Sequence, residues 1–165
     1  MYIDTHTHLN FQQYDEDRAM VIGNAKKAGV KRFIIPGVDH ISSVTAVNLA
    51  NTHPGVIFAS VGYHPYEAIK NPDVSYLESL ILSSRPPSRD PVLEEKDGFR
   101  VTRSASSVRA PGMTNTIIAI GECGLDYHLY KGEMAAGRKD VQRRLFEEQL
   151  SLALKYNLPV IIHCR

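Results

Sequence analysis

The amino-acid sequence predicts an α/β fold, a parallel (β/α) barrel. Three observations lead there. Apolar runs of strand length alternate with amphipathic stretches of helix length: strand, helix, strand, helix, strand, helix, a Pro- and Ser-rich segment, strand, helix, strand. Such alternation means parallel strands joined by right-handed helical crossovers. In four of the five strands the apolar run gives way, at its C-terminal end, to a side chain able to bind a ligand: His8, His64, Glu122 and His163. These side chains come from strands one, three, four and five. An open doubly wound sheet gathers its ligands at one switch point, whereas a barrel builds its site from the ends of several strands.

The first strand is expected over Tyr2 to Leu9. Its side chains would alternate between two faces, so Asp4, His6 and His8 point the same way. A helix starts near Asp15, a capping residue, and Ala19, Val21, Ile22, Ala25 and Ala28 give it an apolar face before Gly29 ends it. Lys31 to Val38, around Phe33-Ile34-Ile35, reads as a buried strand. Ser42 or Ser43 caps a second helix, which stops before Pro54-Gly55. Val56 to Gly62 is the third strand, ending in Tyr63-His64-Pro65, and Asp73 caps a third helix carrying Leu77, Leu80 and Ile81. Residues 83–115 break the rhythm with Pro86-Pro87, Pro91, Pro111 and several serines. A structureless stretch of that length reads as an inserted, disordered surface loop in an otherwise single domain spanning 1–165. The fourth strand, Thr116 to Glu122, runs into Cys123-Gly124-Leu125-Asp126-Tyr127. A helix from about Asp140 sets Val141, Leu145, Phe146, Gln149, Leu152, Ala153 and Tyr156 on one face. Pro159 to His163 is the fifth strand.

Composition excludes several classes. A formal net charge of +1 gives no global attraction to polyanions, so any nucleic-acid contact is local. Two cysteines are too few for a disulfide scaffold, which suits a reducing compartment. No apolar run is long enough for a membrane span, and the N-terminus has no basic-then-apolar leader pattern. By strand alternation Cys123 and Cys164 face away from the polar rim, towards the helices, and pack in the core.

Singly, each rim residue has a bland reading: a histidine that ends a strand before proline, a solvated glutamate, a capped core histidine. Together they are harder to dismiss, because charged and imidazole groups at buried strand ends cost free energy unless paired. A divalent cation accounts for the grouping, since neutral imidazole and carboxylate are its ordinary ligands. Asp126 shows no ligand geometry from sequence and reads as a residue behind the ligands or a turn former.

Asp4-Thr-His6-Thr-His8-Leu9, Gly62-Tyr63-His64-Pro65, Gly121-Glu122-Cys123-Gly124-Leu125-Asp126-Tyr127 and the run Gln142…Phe146…Gln149-Leu150…Leu158 to Arg165 follow one another in an order that resembles the TatD-type metal-dependent deoxyribonucleases, which are amidohydrolase-like barrel enzymes. The resemblance covers the chain apart from 83–115. It implies a TIM-type barrel that binds two divalent metal ions (Mg²⁺, Mn²⁺ or Zn²⁺) and hydrolyses phosphodiester bonds in DNA, working from 3′ ends. It implies that His6 and His8 hold one metal, that Glu122 bridges both and that His163 holds the second. Glu122 and His64 would be catalytic, with His64 facing the substrate phosphate and Arg165 a further phosphate contact. A cytoplasmic location, or a nuclear one in a eukaryote, goes with it.

The family pattern also carries a histidine on a sixth strand and an aspartate in a later loop. Neither is in this sequence, and only about five of eight strands are. The expectation is therefore an incomplete barrel with impaired activity, an exposed apolar edge strand at Val160 to His163, and either a missing C-terminal half or self-association to cover it. Three other readings fit parts of the pattern. One is an amidohydrolase-like enzyme acting on other ester or C–N bonds. Another is a polymerase-associated phosphoesterase, which shares Asp-x-His-x-His but lacks the later motifs. The third is an inactive structural fragment that needs a partner chain.

Overall fold

The apolar runs pair side by side in the order in which they occur along the chain. The computed structural model describes residues 1–84, 116–130, 133–134 and 136–165. Strands β1 (Tyr2–Asp4), β2 (Val30–Pro36), β3 (Ile57–Val61) and β4 (Ile117–Leu125) are followed by a small antiparallel ribbon, β5 (Leu129–Tyr130) with β6 (Glu133–Met134), and then by β7 (Val160–Cys164). The parallel sheet has the order β1-β2-β3-β4-β7. Nowhere does that order reverse, so the sheet has no switch point of the open doubly wound kind. One-directional winding with right-handed crossovers puts the helices on one face and leaves the other for a barrel interior.

The helices are α1 (Arg18–Lys27), α2 (His40–Thr52), α3 (Ser75–Ser84) and α4 (Lys139–Tyr156). Helix α2 packs on β2 and β3, and α4 packs on β4. Their shared core holds Ile35, Ala59, Val61, Ile120 and Cys123 from the sheet. The helices add Ala46, Val47, Ala50, Leu77, Ile81, Leu145, Leu152 and Ala153. Each fully buried Leu or Ile there contributes on the order of 1.5–3 kcal/mol. Strand β3 runs unusually close to β4 beyond its end: a Cβ at Gly62 would lie 2.6 Å from the Gly121 carbonyl carbon. Only glycine admits that approach.

Several local expectations need correction. The first strand stops at Asp4, not Leu9, because the chain turns there: the Asp4 side chain accepts a hydrogen bond from the His6 N–H at 3.2 Å. Helix α1 begins at Arg18, after a 3-10 turn at Gln12–Tyr14, and Asp15 does not cap it. Asp15 instead pairs with Arg18 at 2.5 Å, and the Arg18 guanidinium also donates to the carbonyls of Leu9 (2.6 Å) and Phe11 (3.1 Å). That clamp secures the loop after β1. Asp39, not Ser42 or Ser43, caps α2: it accepts from the Ser42 N–H at 2.7 Å, and Ser42 Oγ reciprocates at the Asp39 N–H. Asp73 accepts from the Ser75 N–H at 2.8 Å, at the start of α3 as expected. Ser83 and Ser84 still belong to α3, and the rest of the expected 83–115 loop lies outside the described residues. The β5–β6 ribbon was not anticipated.

The outer strands β1 and β7 each pair on one side only among the described residues. Tyr2, Ile3 and Ile162 are exposed on them, as an uncovered apolar edge requires. Cys123 is fully buried, but Cys164 is exposed and does not pack in the core: it lies on the last, one-sided strand. Among the described residues no helix is long and apolar enough to cross a membrane.

Candidate metal centre

The rim at the C-terminal ends of the strands brings the sequence-marked side chains together. Register sets Gly124 of β4 beside His163 of β7, and Pro36 of β2 beside Ser60 of β3. Glu122 comes up from β4 into the centre, its backbone N–H donating to the Gly37 carbonyl at 2.7 Å. His6 and His8 arrive from the loop after β1, anchored where the Thr7 N–H donates to the Ile34 carbonyl at 3.1 Å. His64 follows β3, held by its backbone N–H on the Val38 carbonyl at 2.7 Å.

The two oxygens of Glu122 face different imidazoles. Oε2 lies 3.1 Å from Nε2 of His6 and 3.8 Å from Nε2 of His8. Oε1 lies 2.9 Å from Nδ1 of His163. Nδ1 of His163 is in turn 3.2 Å from Nε2 of His64. Two groups result, His6–His8–Glu122 and His64–Glu122–His163, each with its ligand atoms within 4.8 Å of one another. The donor set suits divalent cations. Nδ1 of His64 accepts from the Tyr66 N–H at 3.2 Å, so a neutral His64 carries its proton on Nε2 and turns it towards the lone pair of His163 Nδ1. Imidazole nitrogen and carboxylate oxygen are the ligands of Zn²⁺ and related ions.

The surroundings favour neutral imidazole. Burial, with His6 close by, lowers the pKa of His8 against the opposing pull of Glu122. Burial and the neighbouring His163 lower that of His64. An uncharged ring keeps one lone pair: that of His64 is taken at Nδ1 by the Tyr66 N–H, whereas His8 has no such backbone donor among the described residues and can offer its own to a cation. Phe11 stacks on His8 at 4.6 Å between ring centres and covers one face of it.

Two of the sequence-marked residues have further partners. Arg165 donates to Tyr66 Oη at 2.7 Å and lies 3.1 Å from Oδ2 of Asp126, so its guanidinium is held at the edge of the site. Asp126 is 1% exposed; its Oδ1 accepts from the His128 N–H at 3.0 Å and its Oδ2 lies 3.1 Å from Nε2 of His163. It therefore both shapes the turn and stands behind a candidate ligand. Asp4 is not drawn in, because its carboxylate is used in the turn to His6.

The sequence marks Gln142 and Gln149 of α4 in its motif run, and Gln149 on the apolar face, but assigns neither a role; both are fully buried. Each clamps a backbone at the rim through both ends of its amide. Gln149 accepts from the Tyr63 N–H at 2.8 Å and donates to the Tyr63 carbonyl at 3.0 Å. Gln142 does the same at Asp126, at 2.8 and 2.9 Å. The available signal was two glutamines seven residues apart on an apolar helix face. Their backbone partners are 86 and 16 residues away in sequence.

Similarity to known proteins points to one family. The family model described as TatD related DNase matches residues 3–165. The chain is 32% identical over 167 residues to YabD of Bacillus subtilis (strain 168), an uncharacterized metal-dependent hydrolase, covering 100% of this chain and 51% of YabD. It is 31% identical over 162 residues to the 3′-5′ ssDNA/RNA exonuclease TatD of Yersinia pseudotuberculosis serotype O:3 (strain YPIII), covering 98% of this chain and 49% of that relative. Among solved structures, YJJV, a TatD homolog from Escherichia coli K12, superposes with a TM-score of 0.67 at 27% identity, over 99% of this chain and 51% of YJJV. The chain spans about half the length of the curated relatives it matches. With five parallel strands wound in one direction, it forms a half-barrel. The family model spans nearly the whole chain, and the chain belongs to the TatD-related DNase family.

Proposed function

We propose that the rim is a two-metal hydrolytic centre acting on phosphodiester bonds of DNA, with strand 3′ ends as substrate. The observation that carries this reading is Glu122, whose two oxygens face two separate imidazole sets. His6 and His8 would hold one divalent ion through Nε2, Glu122 would bridge, and His163 would hold the second through Nδ1. His64 accepts from the Tyr66 N–H through Nδ1 and so presents Nε2–H beside His163, where it would face the phosphate. When bound, such ions supply Lewis acidity, lowering the pKa of a water and taking up charge on phosphate oxygens. The chain's own part is electrostatic and positional. Glu122 spreads one negative charge over both subsites. His8 and His64 stay uncharged to lower pH than a free histidine. Arg165, fixed by Asp126 and Tyr66, offers its positive charge beside the phosphate path. The names of relatives, an uncharacterized metal-dependent hydrolase and 3′-5′ ssDNA/RNA exonucleases, support the reaction class. Two free thiols, Cys123 and Cys164, support a reducing, cytoplasmic setting.

The test uses the full chain with 5′-labelled single-stranded DNA and Mg²⁺, Mn²⁺ or Zn²⁺. Shortening from the 3′ end, lost with chelator and in Glu122→Gln, is the expected result. Isothermal titration of the same ions should lose at least as much affinity in Glu122→Gln as the roughly 10–100-fold typical of an outer-shell partner. Unchanged metal binding in that variant would sink the proposal.

A further inference from the structure

We infer that Asp126 is a positioning residue: through Oδ2 it holds the Nε2 side of His163, so that Nδ1 is the nitrogen presented to Glu122 and to a cation beside it. The inference rests on the reading of His163 as a metal ligand. An imidazole can offer either nitrogen, by tautomer exchange and by rotation of the ring. Here the two sides of the ring are distinct. Nε2 is 3.1 Å from Asp126 Oδ2, and Nδ1 is 2.9 Å from Glu122 Oε1. A carboxylate lies on each side, so what separates the two nitrogens is their other neighbours: Nδ1 also faces Nε2 of His64, which carries the proton of that ring because its Nδ1 accepts from the Tyr66 N–H, whereas Nε2 of His163 has the Asp126 carboxylate to take its own N–H.

The Asp126 carboxylate has little freedom to do anything else. Its Oδ1 is taken by the His128 N–H, and Arg165 lies 3.4 Å from Oδ1 through Nε and 3.1 Å from Oδ2 through Nη2. Its backbone is gripped on both sides by the Gln142 amide, and the residue is 1% exposed. A turn former would need Oδ1 alone. The second oxygen, aimed at His163, has no structural task in the turn. Nor is Asp126 itself in either ligand group, because the His163 ring stands between it and Glu122. The Arg165 guanidinium lies against both of its oxygens and balances its charge.

The experiment compares the full wild-type chain with Asp126→Asn and Asp126→Ala, each labelled with ¹⁵N in histidine and loaded with Zn²⁺. In the wild type, His163 should show a metal-bound Nδ1 and a protonated Nε2. In Asp126→Ala that signature should be lost, and calorimetric Zn²⁺ affinity should fall roughly 10–100-fold. Asp126→Asn keeps an acceptor oxygen in the same volume and should lie between. If the alanine variant does not fold, the asparagine variant and the wild-type signature still decide. Coordination through Nε2 in the wild type overturns the inference, as does a wild-type signature and affinity in both variants. A wild-type chain that takes up no Zn²⁺ refutes the metal reading on which this one stands. Zn²⁺ uptake that is indifferent to Asp126 refutes only the role given to that residue.

Discussion

Replacing Gln149 by leucine tests how the rim is held. Leucine matches the side chain in bulk but cannot hydrogen bond. The Tyr63 N–H and carbonyl would lose partners at 2.8 and 3.0 Å. Tyr63 is 3% exposed, so water does not readily replace them. Each unsatisfied buried group costs about 1–3 kcal/mol, giving roughly 2–6 for the pair. Added apolar burial offsets about 1–2 kcal/mol, since a buried leucine contributes on the order of 1.5–3. The net loss is then about 2–3 kcal/mol at mid-range and at most about 5, against total stabilities of about 5–15 for single domains. In urea, with a slope of about 1–3 kcal/mol per molar, the unfolding midpoint should fall by roughly 1 M. Ser151→Ala, on the exposed side of the same helix, serves as the control and should move stability by no more than about 0.5 kcal/mol. Gln149→Glu adds a directional check. Its carboxylate can accept from the Tyr63 N–H but cannot donate to the carbonyl, so acid should narrow its deficit relative to wild type by restoring a donor. A leucine variant with an unshifted midpoint, or a glutamate variant whose deficit widens in acid, would mean that the amide clamp is not what holds Tyr63 and the adjoining His64.

Two more outcomes follow from the charges at the rim. His8 and His64 have folded pKa values below the ordinary 6.5, so the unfolded chain binds protons more readily than the folded one. Their contribution to stability is complete above pH 6.5 and declines as pH falls from there to the lowered folded values; urea midpoints of the metal-free chain between pH 8 and 5 should follow that course, and a double His8→Gln, His64→Gln variant should flatten it. Burial, with Glu122 next to it, pushes the Cys123 thiol up to about 12, whereas Cys164 is exposed. An alkylating reagent at pH 8 should therefore label Cys164 alone in the folded chain, and mass spectrometry finding early label on Cys123 would contradict the packing described for β4.

The sequence by itself determined the alternation of strands and helices, and with it a parallel sheet whose buried runs, such as Phe33-Ile34-Ile35 and Ile117 to Ile120, needed only local pattern to be recognised. It also marked the rim residues, because His6, His8, His64, Glu122 and His163 sit where apolar runs end, and polar groups there stand out against a hydrophobic background. Tertiary structure decided what local pattern cannot carry. The one-directional strand order, expected from candidate ligands spread over several strand ends, was fixed by pairing, since alternation alone can be wound either way. The turn at Asp4 replaced an expected strand because a side chain–backbone hydrogen bond and the Arg18 clamp outweigh strand propensity in a loop held from elsewhere. Cys164 and Cys123 read alike along the chain, yet one is exposed and the other buried, because β7 has a strand on one side only among the described residues. Gln142, Gln149 and Asp126 acquired their roles from partners such as Tyr63 and His163, far away in sequence but within 3.1 Å in space. Hydrogen bonds act over a few ångströms, and which groups come that close is fixed only when the helix docks on the sheet.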